Sequence, residues 1–303
     1  MTTDAKRTRD ISEVIETLDA ISWQGPVSTN MRSSAVEALE GGKVLYFPRL
    51  AFELSKMEAR FLTPAIADAR AKNVSFDPRA GKMKGAVGSD ADLAAVTAMM
   101  RRYHEYARKL VETLLPRYAS ALEDGRTSFR PVEIKNRNIS ARKDDTRLHI
   151  DAFPATPVGD RRILRVFTNV NPESKGRHWR LGAPFEQMAR DFVGRLPSQA
   201  PGSAWFLKTT GMTKGRRTAY DHMMLNLHDT MKADDAYQAR VVQNEFFFPP
   251  GSTWLCFTDM TSHAAMGGQH MFEQTFYLPV HAMQNEAKAP LRVLERLAAR
   301  PLI

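Results

Sequence analysis

His149 and Asp151, in the segment Leu148-His-Ile-Asp151, are the pair of side chains in this sequence best placed to do chemistry. On an extended strand, residues two apart project to the same face. An imidazole nitrogen and a carboxylate oxygen held side by side supply two corners of a metal site, and a third must come from another strand. His263, in Thr261-Ser-His-Ala264, stands just beyond the apolar run Thr253–Thr258 and is the candidate. Two histidines and a carboxylate on one face of an ion leave the opposite positions open, the ligand set of non-haem Fe(II) oxygenases. Zinc accepts the same donors, and a solvated strand end or a structural histidine shows the same letters. In a chain of 303 residues with eight histidines and 34 acids, about one His-x-acid pair arises by chance. The surrounding β-texture is what raises this one above that background.

An oxygenase of the 2-oxoglutarate-dependent kind also needs a cation for the far carboxylate of its co-substrate. A planar guanidinium serves best because it meets a carboxylate bidentately. In many such enzymes this arginine follows the distal histidine by about ten residues, but here Phe272-Glu-Gln274 stand in that place. The alternative is Arg165, inside the apolar run Ile163-Leu-Arg-Val-Phe167, where a charge is costly to bury without a partner. Arg162 is expected on the opposite face, at the edge of the strand.

The elements that must carry these groups fall into two textures. Up to about residue 128 the chain reads as helix-rich. A short helix over Ser33–Glu40 is stopped by Gly41-Gly42, and a buried strand follows over Lys43–Pro48. A helix is expected from Phe52 to Leu62, then a Gly- and Lys-rich loop over residues 73–90. A long helix N-capped near Asp90 should run toward Glu123, with Leu93, Val96, Met100, Tyr103, Ala107 and Leu110 on one stripe and Pro116 kinking or dividing it. From residue 129 to the C-terminus, short β-branched and aromatic runs alternate with Pro, Gly and Asn turns, which suggests a sandwich or barrel. Asp221–Tyr237 interrupts this with a helix, and a last helix spans Lys288–Arg300. Residues 1–128 and 129–303 are therefore expected to build one integrated α+β unit in which helices frame a β-barrel. Trp205 and Trp254 are expected in its core.

Composition bounds the partners. The chain has 43 Lys and Arg against 34 Asp and Glu, a formal charge of +9, with 43% hydrophobic and 25% charged residues. These are globular values, and they exclude a disordered or fibrous chain. A single cysteine, Cys256, excludes an internal disulfide framework and suits a reducing compartment. No apolar run approaches the ~20 residues needed to span a bilayer, and no apolar signal segment follows the N-terminus. The expected location is the cytoplasm. A positive surplus favours acidic partners, but no nucleic-acid-binding signature is present, so nucleic acid is not expected. The densest basic patch, Lys135–Arg147, is interrupted by Asp144 and Asp145.

Longer words narrow the choice. Arg142–Pro154 (RKDDTRLHIDAFP) resembles the metal-binding segment of bacterial Kdo 3-hydroxylases, which modify 3-deoxy-D-manno-oct-2-ulosonic acid in the inner core of lipopolysaccharide. Arg162–Pro172, His228–Gln238, Pro250–Ala264 and Glu273–Tyr277 match the same family in the same order. The resemblance implies a double-stranded β-helix (jelly-roll, cupin-like) core holding Fe(II) on His149, Asp151 and His263. It implies 2-oxoglutarate and O2 as co-substrates, with Arg165 and the neighbouring Asn169 as 2-oxoglutarate contacts. The product would be the C3-hydroxylated sugar, Ko, on Kdo-lipid A. Because that glycolipid is anionic, Arg147 and Arg142, with Arg137 and Lys143 beside them, become substrate contacts. Arg147 leads because it shares strand parity with His149 and Asp151. His228 is read as a lid or helix-packing residue, His104 and His222 as packing residues, and His270 as exposed in a turn. The last helix carries Arg292, Arg296 and Arg300 at spacing four, which allows peripheral contact with the inner membrane's cytoplasmic face. Two other readings stay open: a 2-oxoglutarate hydroxylase of a different anionic substrate, and a non-catalytic cupin-like module that binds a glycan.

Overall fold

The computed structural model describes residues 8–20, 22–71, 73–133, 142, 144–200, 202, 205 and 208–303. Arg137 and Lys143 lie outside the described residues. Eight strands form the larger sheet: β1 (Ile15–Thr17), β2 (Val44–Phe47), β3 (Val74–Asp77), β4 (Lys82–Lys84), β5 (Glu123–Arg130), β6 (Arg161–Asn169), β9 (Thr253–Phe257) and β11 (Met271–Pro279). Their order is β1-β2-β9-β6-β11-β5-β3-β4, and β7 (Arg177–Leu181), β8 (Asn244–Phe248) and β10 (His263–Gly267) form a second sheet in the order β10-β7-β8. All pairings are antiparallel except β1 with β2. Two facing antiparallel sheets with helices gathered outside the larger one are an α+β double-stranded β-helix.

Strand alternation assigns the two faces of the larger sheet. On β6, Leu164 and Val166 point outward to the helices, while Arg165 and Phe167 point inward toward the smaller sheet. The outward face is covered mainly by α3 (Asp90–Leu114). Ser89 caps that helix by accepting from the Asp92 amide, and Asp90 and Asp92 favour its positive end. Its buried stripe runs Val96, Met100, Tyr103, Ala107, Leu110 and Leu114, and the Tyr103 hydroxyl donates to the Val166 carbonyl at 3.2 Å. Inside, Trp254 stacks on Phe248 with ring centroids 4.1 Å apart, and Phe167 and Trp179 join them as an aromatic floor.

Several elements differ from the expectation in instructive ways. Residues 73–90 are not all loop, because Val74 and Phe76 are buried on alternate positions and pair β3 with both β4 and β5. The long helix stops at Leu114, and Pro116 starts a separate 3-10 turn. The helix foreseen over Phe52–Leu62 shrinks to α2 (Lys56–Ala59), closed by a Ser55–Glu58 capping box. The first helix, α1 (Thr29–Glu40), begins earlier, where Ser28 accepts from the Met31 amide. The remaining helices are α4 (Phe185–Phe192), α5 (Ala219–Ala233), α6 (Asp235–Arg240) and α7 (Pro290–Ala298). The first 128 residues thus supply β1–β4 and most of β5, so they belong to the same sheet as the strands that follow.

Arg162 corrects another expectation. It is fully buried, and its guanidinium grips Asp259 bidentately, with Nε–Oδ2 at 2.8 Å and Nη2–Oδ1 at 3.0 Å. Its Cζ lies 4.0 Å from the centroid of the Phe257 ring. Burial pushes the Asp259 carboxyl above its ordinary range, and Arg162 opposes that shift. Asp259 sits in the turn between β9 and β10, so this pair stiffens the turn that leads to His263. Removing one partner strands the other charge, at a cost of about 3–5 kcal/mol. Asp259→Ala should therefore lower stability by that amount in urea unfolding, and a loss under about 1 kcal/mol would mean that Arg162 finds other compensation.

Candidate metal centre

The segment carrying His149 and Asp151 lies along the β9–β10 turn as a short extra rung. The His149 amide donates to the His263 carbonyl at 3.0 Å, and the His263 amide returns a bond to the His149 carbonyl at 2.8 Å. The Asp151 amide donates to the Thr258 carbonyl at 2.8 Å. One stretch of backbone pairing thus brings residues 114 positions apart into register. Gln238 on α6 fastens the other side of the rung: its Oε1 accepts from the Leu148 amide at 2.8 Å and its Nε2 donates to the Leu148 carbonyl at 2.9 Å. Close packing adds a constraint, since a Cβ on Gly182 would lie 2.6 Å from Ser262 Oγ, beside His263.

The three side chains converge. One donor atom each from His149, Asp151 and His263 lies within 4.8 Å of the other two. Both histidines use Nδ1 to donate to the carbonyl two residues earlier, His149 to Arg147 and His263 to Thr261, each at 2.8 Å. A carbonyl can only accept, so each Nδ1 carries the proton and each Nε2 keeps its lone pair for a ligand. Trp179 stacks on the His263 ring at 5.1 Å and holds its plane. Burial keeps both imidazoles below their ordinary pKa, so they stay neutral and able to bind a metal. Burial works against the Asp151 carboxylate, but Arg165 and the two histidines outweigh it and hold its pKa below the usual range. Its Oδ2 is buried and accepts no hydrogen bond. A carboxylate beside two imidazoles whose Nε2 atoms keep their lone pairs is a donor set fitted to a divalent ion.

Arg165 reaches the same interior from β6. Its Nη1 lies 3.0 Å from Asp151 Oδ2 and 3.5 Å from Glu273 Oε1, and its guanidinium lies 5.4 Å from the Phe153 ring centroid. Burial would lower the Arg165 pKa, but Asp151 and Glu273 raise it further, so the group is a fixed cation. Glu273 also accepts from Arg130 at 2.7 Å. The position on β11 that holds an arginine in many such enzymes therefore holds the acid that orients arginines arriving from β5 and β6. Arg177 of β7 is buried nearby, and burial lowers its pKa to about 9. The Nε atoms of Arg165 and Arg177 are buried donors with no acceptor. Both fit an anionic ligand between the sheets.

Other expected residues are placed differently. Asn169 sits at the far end of β6, four residues from Arg165. Its Nδ2 donates to the Lys175 and Phe248 carbonyls and its Oδ1 accepts from the Asn171 amide. Its amide is spent on closing the β6–β7 turn, and it does not face the metal ligands. Arg147 pairs with Asp235 on α6, and Arg142, mostly exposed, pairs with Asp229 on α5 at 2.9 Å. His228 is nearer the centre than a packing role requires: its ring meets that of His149 edge-on at 5.4 Å, and its Nδ1 bonds Asp229 at 2.9 Å. The helical spacing around His228 gave no sign of this, because the contact depends on how α5 crosses the end of the barrel. His104 is buried and packs beside Phe276, as expected. His270 is buried rather than exposed, and it holds a left-handed backbone with φ of 57°. On α7, Leu291 and Leu294 are buried, Arg292 pairs with Glu286 and Glu295, and Arg296 pairs with Glu186. No described helix is long and apolar enough to cross a membrane.

Comparison with known proteins agrees with this geometry. The chain superposes with a TM-score of 0.93 on the Kdo hydroxylase KdoO, a non-haem Fe(II) α-ketoglutarate-dependent dioxygenase, in complex with α-ketoglutarate and Fe(III). The two are 45% identical over 96% of this chain and 97% of that one. KdoO with cobalt(II) gives a TM-score of 0.93 at 46% identity over 95% and 97% of the chains. KdoO with succinate and Fe(III) gives 0.92 at 45% identity over the same shares, 95% and 97%. No curated protein sequence matches the chain. The model of the 3-deoxy-D-manno-oct-2-ulosonic acid (Kdo) hydroxylase family matches residues 22–301, and the chain belongs to that family.

Proposed function

We propose that this protein is an Fe(II)- and 2-oxoglutarate-dependent dioxygenase that adds a hydroxyl group at C3 of Kdo in Kdo-lipid A, giving Ko with release of succinate and CO2. The observation that carries this reading is the backbone-registered triad of His149, Asp151 and His263, with each Nδ1 spent on a carbonyl and the three donor atoms converging. Iron on these three donors would supply the activation of O2 coupled to loss of CO2 from 2-oxoglutarate. The chain itself supplies orientation, charge and exclusion of water. Arg165, oriented by Glu273, is assigned to the far carboxylate of 2-oxoglutarate, with the unpaired Nε of Arg177 facing the same interior. The anionic sugar is assigned to the side of His149 where His228, Arg142 and Arg147 stand, each already held in place by an acid of α5 or α6. The aromatic floor of Phe167, Trp179 and Trp254 closes the opposite side against water. A glycolipid substrate places the enzyme at the cytoplasmic face of the inner membrane.

Mass spectrometry tests the reaction. Kdo-lipid A incubated with the protein, Fe(II), ascorbate and 2-oxoglutarate should gain one oxygen atom, and the gain should disappear when 2-oxoglutarate or O2 is omitted. No gain with glycolipid, alongside succinate formation on another anion, would move the substrate elsewhere. Asp151→Ala should abolish turnover and weaken Co(II) binding at least about 100-fold by calorimetry, with an unchanged far-ultraviolet spectrum. Retained cobalt affinity would remove Asp151 from the ligand set. Arg165→Lys keeps the charge but loses the fork, so the KM for 2-oxoglutarate should rise about tenfold or more, while that for the glycolipid changes little. An unchanged KM would transfer the role to Arg177 or Arg130.

A further inference from the structure

Beyond the metal centre lies a surface strip most of whose charges have no acid counterpart among the described residues. From Phe192 to Tyr220 the sequence contains no acid, but it contains Arg195, Lys208, Lys214, Arg216 and Arg217. Arg195 is matched by Asp234 at 2.9 Å. Among the described residues, no carboxylate stands within ion-pair distance of Lys208, Lys214, Arg216 or Arg217. The same stretch presents two large apolar side chains to solvent, Trp205 at 69% exposure and Met212 at 61%. Trp205 was expected in the core. Exposed tryptophan interleaved with unmatched cations is the composition of a membrane–water boundary, where indole sits at headgroup depth and lysine and arginine meet lipid phosphates.

The strip is tied to the metal centre by backbone. The Lys214 amide donates to the Ala155 carbonyl at 3.0 Å, and Arg217 Nη2 donates to the Pro154 carbonyl at 2.7 Å. Pro154 and Ala155 follow Asp151 by three and four residues, and Phe153 between them lies against Arg165. Among the described residues, no other exposed tryptophan stands in such a stretch. Arg292 and Arg296 of α7 are matched by acids, and exposed Phe247 on β8 is stacked on His178 at 4.1 Å.

We propose that Trp205, Met212, Lys208, Lys214, Arg216 and Arg217 seat the protein on an anionic lipid surface, holding the metal centre against the leaflet that carries its substrate. This rests on the glycolipid reading above, but lipid binding is measured without turnover. Each basic residue near an anionic surface raises partitioning about fivefold, so reversing two of them should lower it by well over tenfold. The full-length protein should float with phosphatidylcholine vesicles containing phosphatidylglycerol, and not with phosphatidylcholine alone. High salt should weaken the binding.

Two paired variants, Lys214→Glu with Arg216→Glu and Trp205→Ser with Met212→Ser, should each lose at least about tenfold in vesicle binding at unchanged melting temperature. Brominated acyl chains should quench the wild-type fluorescence through Trp205, because Trp23, Trp179 and Trp254 are buried. In both paired variants, hydroxylation of a water-soluble, acyl-free Kdo oligosaccharide should match the wild type, while hydroxylation of vesicle-borne Kdo-lipid A falls. Vesicle binding that is indifferent to phosphatidylglycerol, or equal in the charge-reversed variant, overturns the proposal. Binding kept by the Trp205 and Met212 variant, with no quenching, overturns the insertion. A strip that takes a single-stranded oligonucleotide but no vesicle also overturns it, in favour of a nucleic-acid partner. If the wild type floats but hydroxylates neither substrate, the function assigned above fails and the lipid surface stands.

Discussion

The reciprocal backbone pair between His149 and His263 is the constraint on which the rest depends. Its two hydrogen bonds, at 3.0 and 2.8 Å, align two segments that would otherwise have no reason to meet. Once they are aligned, three further bonds follow from register alone: Asp151 to Thr258, and each imidazole to the carbonyl two residues before it. The placement of the three donor side chains is thus encoded in main-chain pairing. Elements around the pair protect it. Gln238 closes the open edge of the Leu148 rung, Trp179 stacks on His263, and the buried Arg162–Asp259 pair stiffens the turn. A centre whose ligands came from mobile loops would need the ion to assemble it. Here the donors are already oriented, which favours metal capture without a large ordering cost.

The interior charges obey a second constraint, since each is costly to bury alone. Arg165 touches both Asp151 and Glu273, and Glu273 touches Arg130 as well. Moving the acid onto β11 and the arginine onto β6 keeps a cation beside the metal ligands without leaving it unpaired. The arrangement still leaves the Nε atoms of Arg165 and Arg177 without acceptors. Buried unsatisfied donors are rare in native interiors, so both groups are suited to an anionic partner.

How much of this could be read from the sequence follows from which interactions are local. His149 and Asp151 were legible because strand parity is local, and His263 because it stands just beyond the apolar strand β9. Arg165 was legible because a charge inside Ile163–Phe167 needs a reason to be there. Arg162 misled because its partner, Asp259, is 97 residues away and no periodicity announces a buried ion pair. Asn169 shared parity with Arg165, but parity does not say how far along a strand a ligand reaches. His228 was hidden because the crossing of α5 over the barrel is a tertiary fact. The β3–β4 hairpin was masked by its glycines and lysines, although the alternation of Val74 and Phe76 was present. Trp205 shows the opposite error: aromatic composition suggests a core, yet this side chain is mostly exposed.

Part of the positive charge acquires a context once the ion pairs are assigned. A surplus spread evenly over the surface would serve only solubility. On α7 the arginines are answered by Glu186, Glu286 and Glu295, and on α5 and α6 the acids Asp229 and Asp235 answer Arg142 and Arg147. The cations between Lys208 and Arg217 have no such answer among the described residues, and they lie on a strip bonded to the loop that follows Asp151. A soluble sugar would gain nothing from an exposed tryptophan there. A sugar fixed to a lipid headgroup lies within a few ångströms of the bilayer, so an enzyme that acts on it must bring its metal close to a charged, partly apolar plane. On the glycolipid reading proposed above, the matched charges beside His149 would orient one small anion and the unmatched ones near the loop would meet a surface of many.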